Sequence, residues 1–87
     1  MAHITTSCGF EADIDEELLN DYEFLEVMRE AEKSPLAFAD IVVFLLGKDG
    51  KEGLKACLRE VYGRARPENV RDAVMEILAQ LSESKKK

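Results

Sequence analysis

The densest cluster of reactive side chains in this sequence is a run of carboxylates, Asp13, Asp15, Glu16 and Glu17. Neighbouring carboxylates can bind Ca²⁺ or act as general acids and bases. An EF-hand calcium loop also needs a glycine at its turn and a distal glutamate, and this run supplies neither. A series of like charges is more typical of a solvated surface, and we interpret the run in that way.

The sequence offers few ligands for a transition metal. It contains two cysteines, Cys8 and Cys57, and a single histidine, His3. Zinc sites need converging Cys and His ligands, and these residues form no CxxC pair. Cys57 lies on an apolar helical stripe, where a thiol acts as a small hydrophobic group. We therefore expect reduced cysteines, no metal and no cofactor.

Motifs for catalysis are missing from the sequence. It has no glycine-rich phosphate loop, no GxSxG and no HExxH. The segment 48–51, Lys-Asp-Gly-Lys, has the composition of a turn and lacks the pattern of a phosphate-binding loop. We predict that the protein is not an enzyme.

Charge is unevenly distributed along the chain. Residues 1–34 carry ten acidic and two basic side chains, residues 35–87 carry eight acidic and ten basic ones, and the net charge is −6. An acidic chain repels phosphate backbones, so we do not expect nucleic acid as a partner. One helical face could be a phosphate track, but a solvated helix face is the favoured interpretation, since no aromatic residue is interleaved to stack on bases. The basic residues of this face are Lys48, Lys51, Lys55 and Arg59.

The elements that position these groups begin with extended structure. Phe10, Ala12 and Ile14 alternate with acidic residues, as in a strand with one buried face. Cys8 and Gly9 before them have turn composition. Residues 1–14 are therefore interpreted as an extended segment or a short β-hairpin.

Helical periodicity dominates the rest of the chain. The predicted helix starts are the capping box of Asn20 and Glu23, Ser34-Pro35, the capping box of Asp49 and Glu52, and Pro67. The predicted stops are Lys33-Ser34, Gly47 and Gly63. We expect a mainly α fold, a small bundle of about four helices around a central apolar helix, with a helical domain at 15–81 and a disordered polar tail at 82–87.

The central helix has an unusual composition, because Asp40 is the only polar residue between Leu36 and Leu46. Eleven residues are too few for a membrane span, which needs about 20. A signal peptide is also not expected, since the segment is internal and no basic flank precedes an apolar run at the N-terminus. We expect a cytoplasmic protein with no membrane partner.

Asp40 must reach water or a partner, and this requirement orients the central helix. Phe38, Ile41, Val42 and Leu45 then point inward. The residues on the other side, which we call the Asp40 face, are Leu36, Ala37, Asp40, Val43 and Phe44. This face is either covered by the N-terminal segment or is a surface that contacts a partner.

The order of these elements resembles a known family, the tail assembly chaperones of long-tailed phages and prophages. The similarity runs from about Phe10 to Leu81. It is carried by Phe10 to Asp15, Leu19 to Leu25, Pro35-Leu36-Ala37, Leu45-Leu46-Gly47, Leu54 with Leu58-Arg59, Gly63-Arg64 and the stripe from Val70 to Leu81.

The resemblance implies a non-catalytic role in the cytoplasm of a bacterial host. Proteins of this family coat the aggregation-prone tape measure protein and help the tail tube protein to assemble around it. The partners expected by resemblance are thus the tape measure protein and the tail tube protein, and a homo-oligomer is compatible with an unoccupied apolar face. The Asp40 face is the candidate partner-binding site. The alternative interpretation is a small helical regulator or inhibitor that binds another protein through the same face.

Overall fold

A computed structural model describes residues 1–86, with side chains for all of them except 35, 85 and 86. The described part is a mainly helical small globule with three helices and an N-terminal two-stranded antiparallel hairpin. The elements are β1 (Ala2–Thr5), β2 (Glu11–Ile14), a 3₁₀ turn (Glu16–Asn20), α1 (Tyr22–Lys33), a second 3₁₀ turn (Pro35–Ala37), α2 (Phe38–Tyr62) and α3 (Pro67–Lys86).

The hairpin predicted for residues 1–14 is present. Ala2 pairs with Ile14 and Thr5 with Glu11. The connecting turn is closed by the amide of Gly9, which donates to the Thr6 carbonyl at 2.9 Å, and Gly9 adopts a φ of 98°. A positive φ is accessible to glycine at no steric cost, so this residue permits the tight reversal.

The hairpin belongs to the same hydrophobic core as the helices. Ile4 and Ile14 are buried in one cluster with Val74 and Ile77 of α3. The alternation of buried and exposed residues in β1 places every second side chain of the strand toward α3. The N-terminal segment thus packs on α3.

Helix α1 begins one residue later than the sequence predicts. The N-cap is Asp21, whose Oδ1 accepts hydrogen bonds from the amides of Glu23 at 2.8 Å and Phe24 at 3.2 Å. Asn20, the predicted cap, instead ends the 3₁₀ turn that precedes the helix. A carboxylate is the better group here because it satisfies two free amides and also complements the positive end of the helix dipole.

Helix α2 combines two of the helices that the sequence predicts. Gly47 interrupts it with φ 76° and ψ 176°, so the residues before and after it form two helical arms, 38–46 and 48–62. The break falls where a stop was predicted, but no loop separates the arms. Asp49 lies within the second arm instead of capping it. The result is three helices, one of them bent, where about four were expected.

The central apolar segment is buried on one side only. Ile41, Val42 and Leu45 are no more than 6% exposed, which confirms these three residues of the predicted inward face, whereas the fourth, Phe38, is only partly buried. Leu36 is 82% exposed and Val43 is 37% exposed. Of the two alternatives for the Asp40 face, cover by the N-terminal segment is not what the structure has, since the neighbours of the first arm cover its inward face and leave Leu36 and Val43 exposed.

Helix α3 supplies the most deeply buried stripe and is longer than expected. Val74, Ile77 and Leu81 are each fully buried. The helix continues to Lys86, so most of the predicted tail at 82–87 is helical, and Lys87 lies outside the described residues. Anchoring at Leu81 and a contact of 3.5 Å between Ser84 Oγ and Glu16 Oε2 favour this additional turn.

Candidate functional site

The Asp40 face is only partly open to solvent. Asp40 and Val43 are exposed on the first arm of α2, one turn apart. Phe44, the next residue along the chain, is half-buried. Its ring lies 5.7 Å from that of Phe24 in α1, centroid to centroid. Phe44 is therefore a packing residue at the border of the face.

The remaining two residues of this face lie on the 3₁₀ turn before α2. Ala37 is half-buried against the core, whereas Leu36 is almost fully exposed. Leu36 also lines a groove on the adjacent side of α2. The structure thus keeps Asp40 and Val43 together, turns Phe44 toward α1, and places Leu36 between two surfaces.

The groove beside Leu36 has a volume of about 220 Å³, and we call it the lysine groove. Its walls come from both arms of α2 and from the start of α3. The apolar lining includes Leu36, Phe38, Val42, Leu54 and Val70, and the polar lining consists of Lys51 and Lys55.

The bend at Gly47 creates the lysine groove. It brings residues of the first arm, such as Val42, to the same cavity as Leu54 and Lys55 of the second arm. In a straight helix, with a rise of about 1.5 Å per residue, Val42 and Leu54 would be too far apart to line one cavity. The sequence does not predict the groove, because a glycine stop at Gly47 implies two separate helices. The available signal was Leu54 between Lys51 and Lys55, which places an apolar side chain among cations on one face.

A wider hollow lies along α1. Its volume is about 530 Å³, and it is lined by Leu19, Leu25, Met28 and Leu78 among others. Leu25 is 52% exposed. Arg29 and Glu32 border it, so its edge carries both signs of charge. It adds a second exposed apolar surface to this acidic protein.

The two cysteines meet between the hairpin turn and α2. The thiol of Cys57 donates a hydrogen bond to the Cys8 carbonyl at 2.9 Å, and Thr6 Oγ1 lies 3.1 Å from Cys8 Sγ. Burial raises the pKa of the Cys8 thiol, but hydrogen bonds from Thr6 and Cys57 outweigh it and leave this pKa below its ordinary value. The pKa of Cys57 is raised, first by its hydrogen bond with Cys8 and then by burial. Both thiols are free.

His3 forms a polar cluster with two acidic residues of the neighbouring strand. Its Nδ1 lies 2.9 Å from Asp13 Oδ1, and its Nε2 lies 3.0 Å from Glu11 Oε1. Hydrogen bonds to Glu11 and then to Asp13 raise the pKa of His3 above its ordinary value of 6.5. Within residues 1–86, no three His, Cys, Asp or Glu side chains are arranged to hold a metal ion.

The helices of the described chain differ from membrane spans in length or composition. None of them is both long enough and apolar enough to cross a bilayer.

Comparison with known proteins adds no relative to this description. No protein-family model, no curated protein and no solved structure matches the chain.

Proposed function

We propose that this chain is a tail assembly chaperone of a long-tailed phage or prophage, a non-catalytic protein that binds and solubilises the tape measure protein during assembly of the tail tube. The observation that best supports the proposal is an exposed apolar surface on a small acidic protein. Val43 stays accessible on a helix whose other face is buried, and Leu36 stays accessible on the 3₁₀ turn directly before it.

The chemistry of the client fits such a surface. A tape measure protein is expected to be largely amphipathic helix, and a helix of this kind binds by laying its apolar stripe against an apolar surface. Weak contacts repeated along one long chain reinforce one another, yet each remains reversible. Reversibility matters because a chaperone has to leave before the tail is complete.

The acidic exterior is the second requirement of this role. The chain has a net charge of −6, and ten of its acidic residues lie in residues 1–34. Net charge of one sign keeps protein complexes soluble. Several copies bound along an apolar client would surround it with negative charge and prevent its aggregation. Contacts with the tail tube protein and self-association through the Asp40 face are part of the same proposal.

Co-expression provides the test. The chain is produced together with the long coiled-coil protein encoded nearest to it, and the soluble fraction is purified by affinity and analysed by mass spectrometry. We expect the client to be soluble only when the chain is present, with several copies of the chain bound. Recovery of the chain alone, or with an unrelated host protein, would contradict the proposal and favour the regulator.

A matched pair of variants locates the contact. Val43→Glu introduces a charge on the Asp40 face, and Val61→Glu makes the same change at a valine that is 53% exposed near the end of α2. We expect the first to abolish co-purification of the client and the second to preserve it. Equal behaviour of the two variants would show that the Asp40 face is not the contact surface.

A further inference from the structure

The lysine groove has properties that the Asp40 face lacks. Its floor is apolar and tightly packed, because Val42 is 3% exposed and Leu54 is 1% exposed. Its charged lining is of one sign, Lys51 and Lys55, and no described residue of the lining is acidic. An apolar floor beside two cations is complementary to an apolar group that carries negative charge next to it.

The size of the groove limits its occupant. Sites for small ligands and cofactors usually enclose roughly 300–1,000 Å³. The groove measures about 220 Å³, which suits one large apolar side chain better than a complete cofactor. A second hollow of about 410 Å³ shares Phe38 and Pro67 with it, but its polar lining is Glu32, Glu68 and Arg71. The complementarity to negative charge is therefore confined to the lysine groove.

The backbone around the groove favours a helical partner. Most of the lining belongs to α2 and α3, where backbone amides and carbonyls are used within the helices. No described part of the lining is a strand edge, so an extended peptide would find no ladder to join. The groove therefore offers a partner contacts with side chains only, and an α-helix, which satisfies its own backbone hydrogen bonds, is the conformation best suited to it.

The two lysines are available for a partner. Lys51 and Lys55 are four residues apart and lie on the same helical face. Lys55 Nζ is 3.3 Å from Glu52 Oε1, but Glu52 is 65% exposed at its side chain, and surface ion pairs of this kind are weak. Among the ion pairs of the described residues, none involves Lys51. An acidic side chain from outside can therefore replace Glu52 at little cost.

We propose that the lysine groove binds an amphipathic helix in which a large apolar side chain is flanked, one turn away, by acidic residues. The apolar side chain enters the groove above Val42 and Leu54, and the carboxylates contact Lys51 and Lys55. The proposal rests on the proposed function in one respect, that the client is the source of this helix. The groove and the Asp40 face then have opposite charge preferences, and a helix with basic flanks is rejected at the groove.

Two synthetic helical peptides of 18 residues test the proposal. They share one Leu and Phe stripe, and the positions beside the stripe are Glu in one peptide and Lys in the other. Binding to the purified chain is measured by fluorescence anisotropy. We expect the Glu peptide to bind at least tenfold more tightly than the Lys peptide. In the variant K51E/K55E, this preference should be reversed.

A matched control separates the groove from general electrostatics. The variant K48E/R59E makes the same change in net charge on the same helix, at two exposed residues outside the groove lining. It should keep the preference for the Glu peptide. An equal loss of binding in both double variants would overturn the proposal, and so would unchanged binding in K51E/K55E. Leu36→Glu should weaken binding of either peptide, because Leu36 lines the groove.

Further measurements distinguish the remaining outcomes. If K51E/K55E still captures the client during co-expression while Val43→Glu does not, the groove proposal fails and the proposed function stands. If the Glu peptide binds but no client is recovered, the groove proposal stands and the proposed function fails. Light scattering identifies a second copy of the chain as the occupant, and a dimer that K51E/K55E dissociates would overturn the proposal of an external helix.

Discussion

The aromatic rings of Phe24 and Phe44 lie with their centroids 5.7 Å apart and their planes inclined by 45°. Phe24 is 1% exposed and belongs to α1, whereas Phe44 belongs to the first arm of α2. A tilted pair at this distance is a favourable arrangement of two aromatic rings. The contact joins the two helices, so Phe44 stabilises the fold even though it borders the Asp40 face.

This contact separates two neighbouring residues that the sequence placed on one surface. We predict that Phe44→Glu lowers the free energy of unfolding by about 2–4 kcal/mol, since it removes a packed ring and places a charge against Phe24. Val43→Glu should change it by less than about 1 kcal/mol, because Val43 is partly exposed. Urea unfolding followed by circular dichroism measures both. Equal losses in the two variants would show that the whole face is part of the core.

Helical periodicity predicts which side chains of the first arm of α2 are buried, except at the border of the buried face. Spacing correctly assigned Ile41, Val42 and Leu45 to the buried face, because the positions of side chains on a helix follow from its 3.6-residue turn. It could not assign Phe44, because burial of a residue at the border depends on where α1 lies. That position is a tertiary feature, determined by packing of residues distant in sequence.

Gly47 is the residue on which the shape of α2 depends. Its φ of 76° and ψ of 176° lie in a region that is essentially restricted to glycine. We predict that Gly47→Asn destabilises the protein by about 1–3 kcal/mol. A Cβ at this position meets no atom within 4 Å, so the cost comes from backbone strain and not from a steric clash with a neighbour. Thermal unfolding monitored by circular dichroism measures the effect.

Gly63 provides the matched control for that substitution. It has φ 86° and ψ −24°, a left-handed conformation that asparagine tolerates. Gly63→Asn should therefore cost less than Gly47→Asn. If the two variants have the same stability, a side chain does not strain the backbone of residue 47. The bend in α2 then does not require glycine at this position.

The fold was predictable where a local signal determines it. The hairpin turn contains Gly9, α2 ends before Gly63 and α3 begins at Pro67, all as predicted. Each of these residues acts through its own backbone geometry. The bend at Gly47 was predicted as an end, since a glycine stop has the same signature whether the chain then turns away or continues as a helix. The lysine groove forms only because the chain continues as a helix after Gly47. The sequence does not distinguish this case from a helix end, so it does not predict the groove.

Gln80 of α3 forms two hydrogen bonds with the backbone of the hairpin. Its Nε2 donates to the Thr5 carbonyl at 2.7 Å, and its Oε1 accepts from the Thr5 amide at 3.1 Å. We predict that Gln80→Leu destabilises the protein by about 1 kcal/mol, since water can replace the lost partners at this exposed site. Amide hydrogen exchange should increase at Thr5 in particular.

Gln80→Glu tests whether both hydrogen bonds contribute. The carboxylate can still accept from the Thr5 amide, but it cannot donate to the carbonyl. Exchange at Thr5 should therefore be intermediate between the wild type and Gln80→Leu. Protection at Thr5 that is the same in all three proteins would show that the hydrogen bonds of Gln80 do not protect the Thr5 amide.

His3 should make the stability of the hairpin depend on pH. Its pKa is raised above 6.5 in the folded protein by hydrogen bonds to Glu11 and Asp13. A group whose pKa is higher in the folded state than in the unfolded state stabilises the fold below the unfolded pKa and loses this effect as pH rises through the folded value. The hairpin should therefore be most stable below about pH 6.5 and become less so toward pH 8.

NMR titration of the His3 ring measures this pKa directly, and amide exchange in β1 at several pH values measures the stability. The effect should be small, because all three side chains are exposed and surface ion pairs are weak. His3→Gln keeps a polar side chain that does not titrate, so exchange in β1 should then depend on pH less than in the wild type, after correction for the intrinsic exchange rate. A His3 pKa at or below the value for a free imidazole would show that Glu11 and Asp13 do not hold the ring in solution.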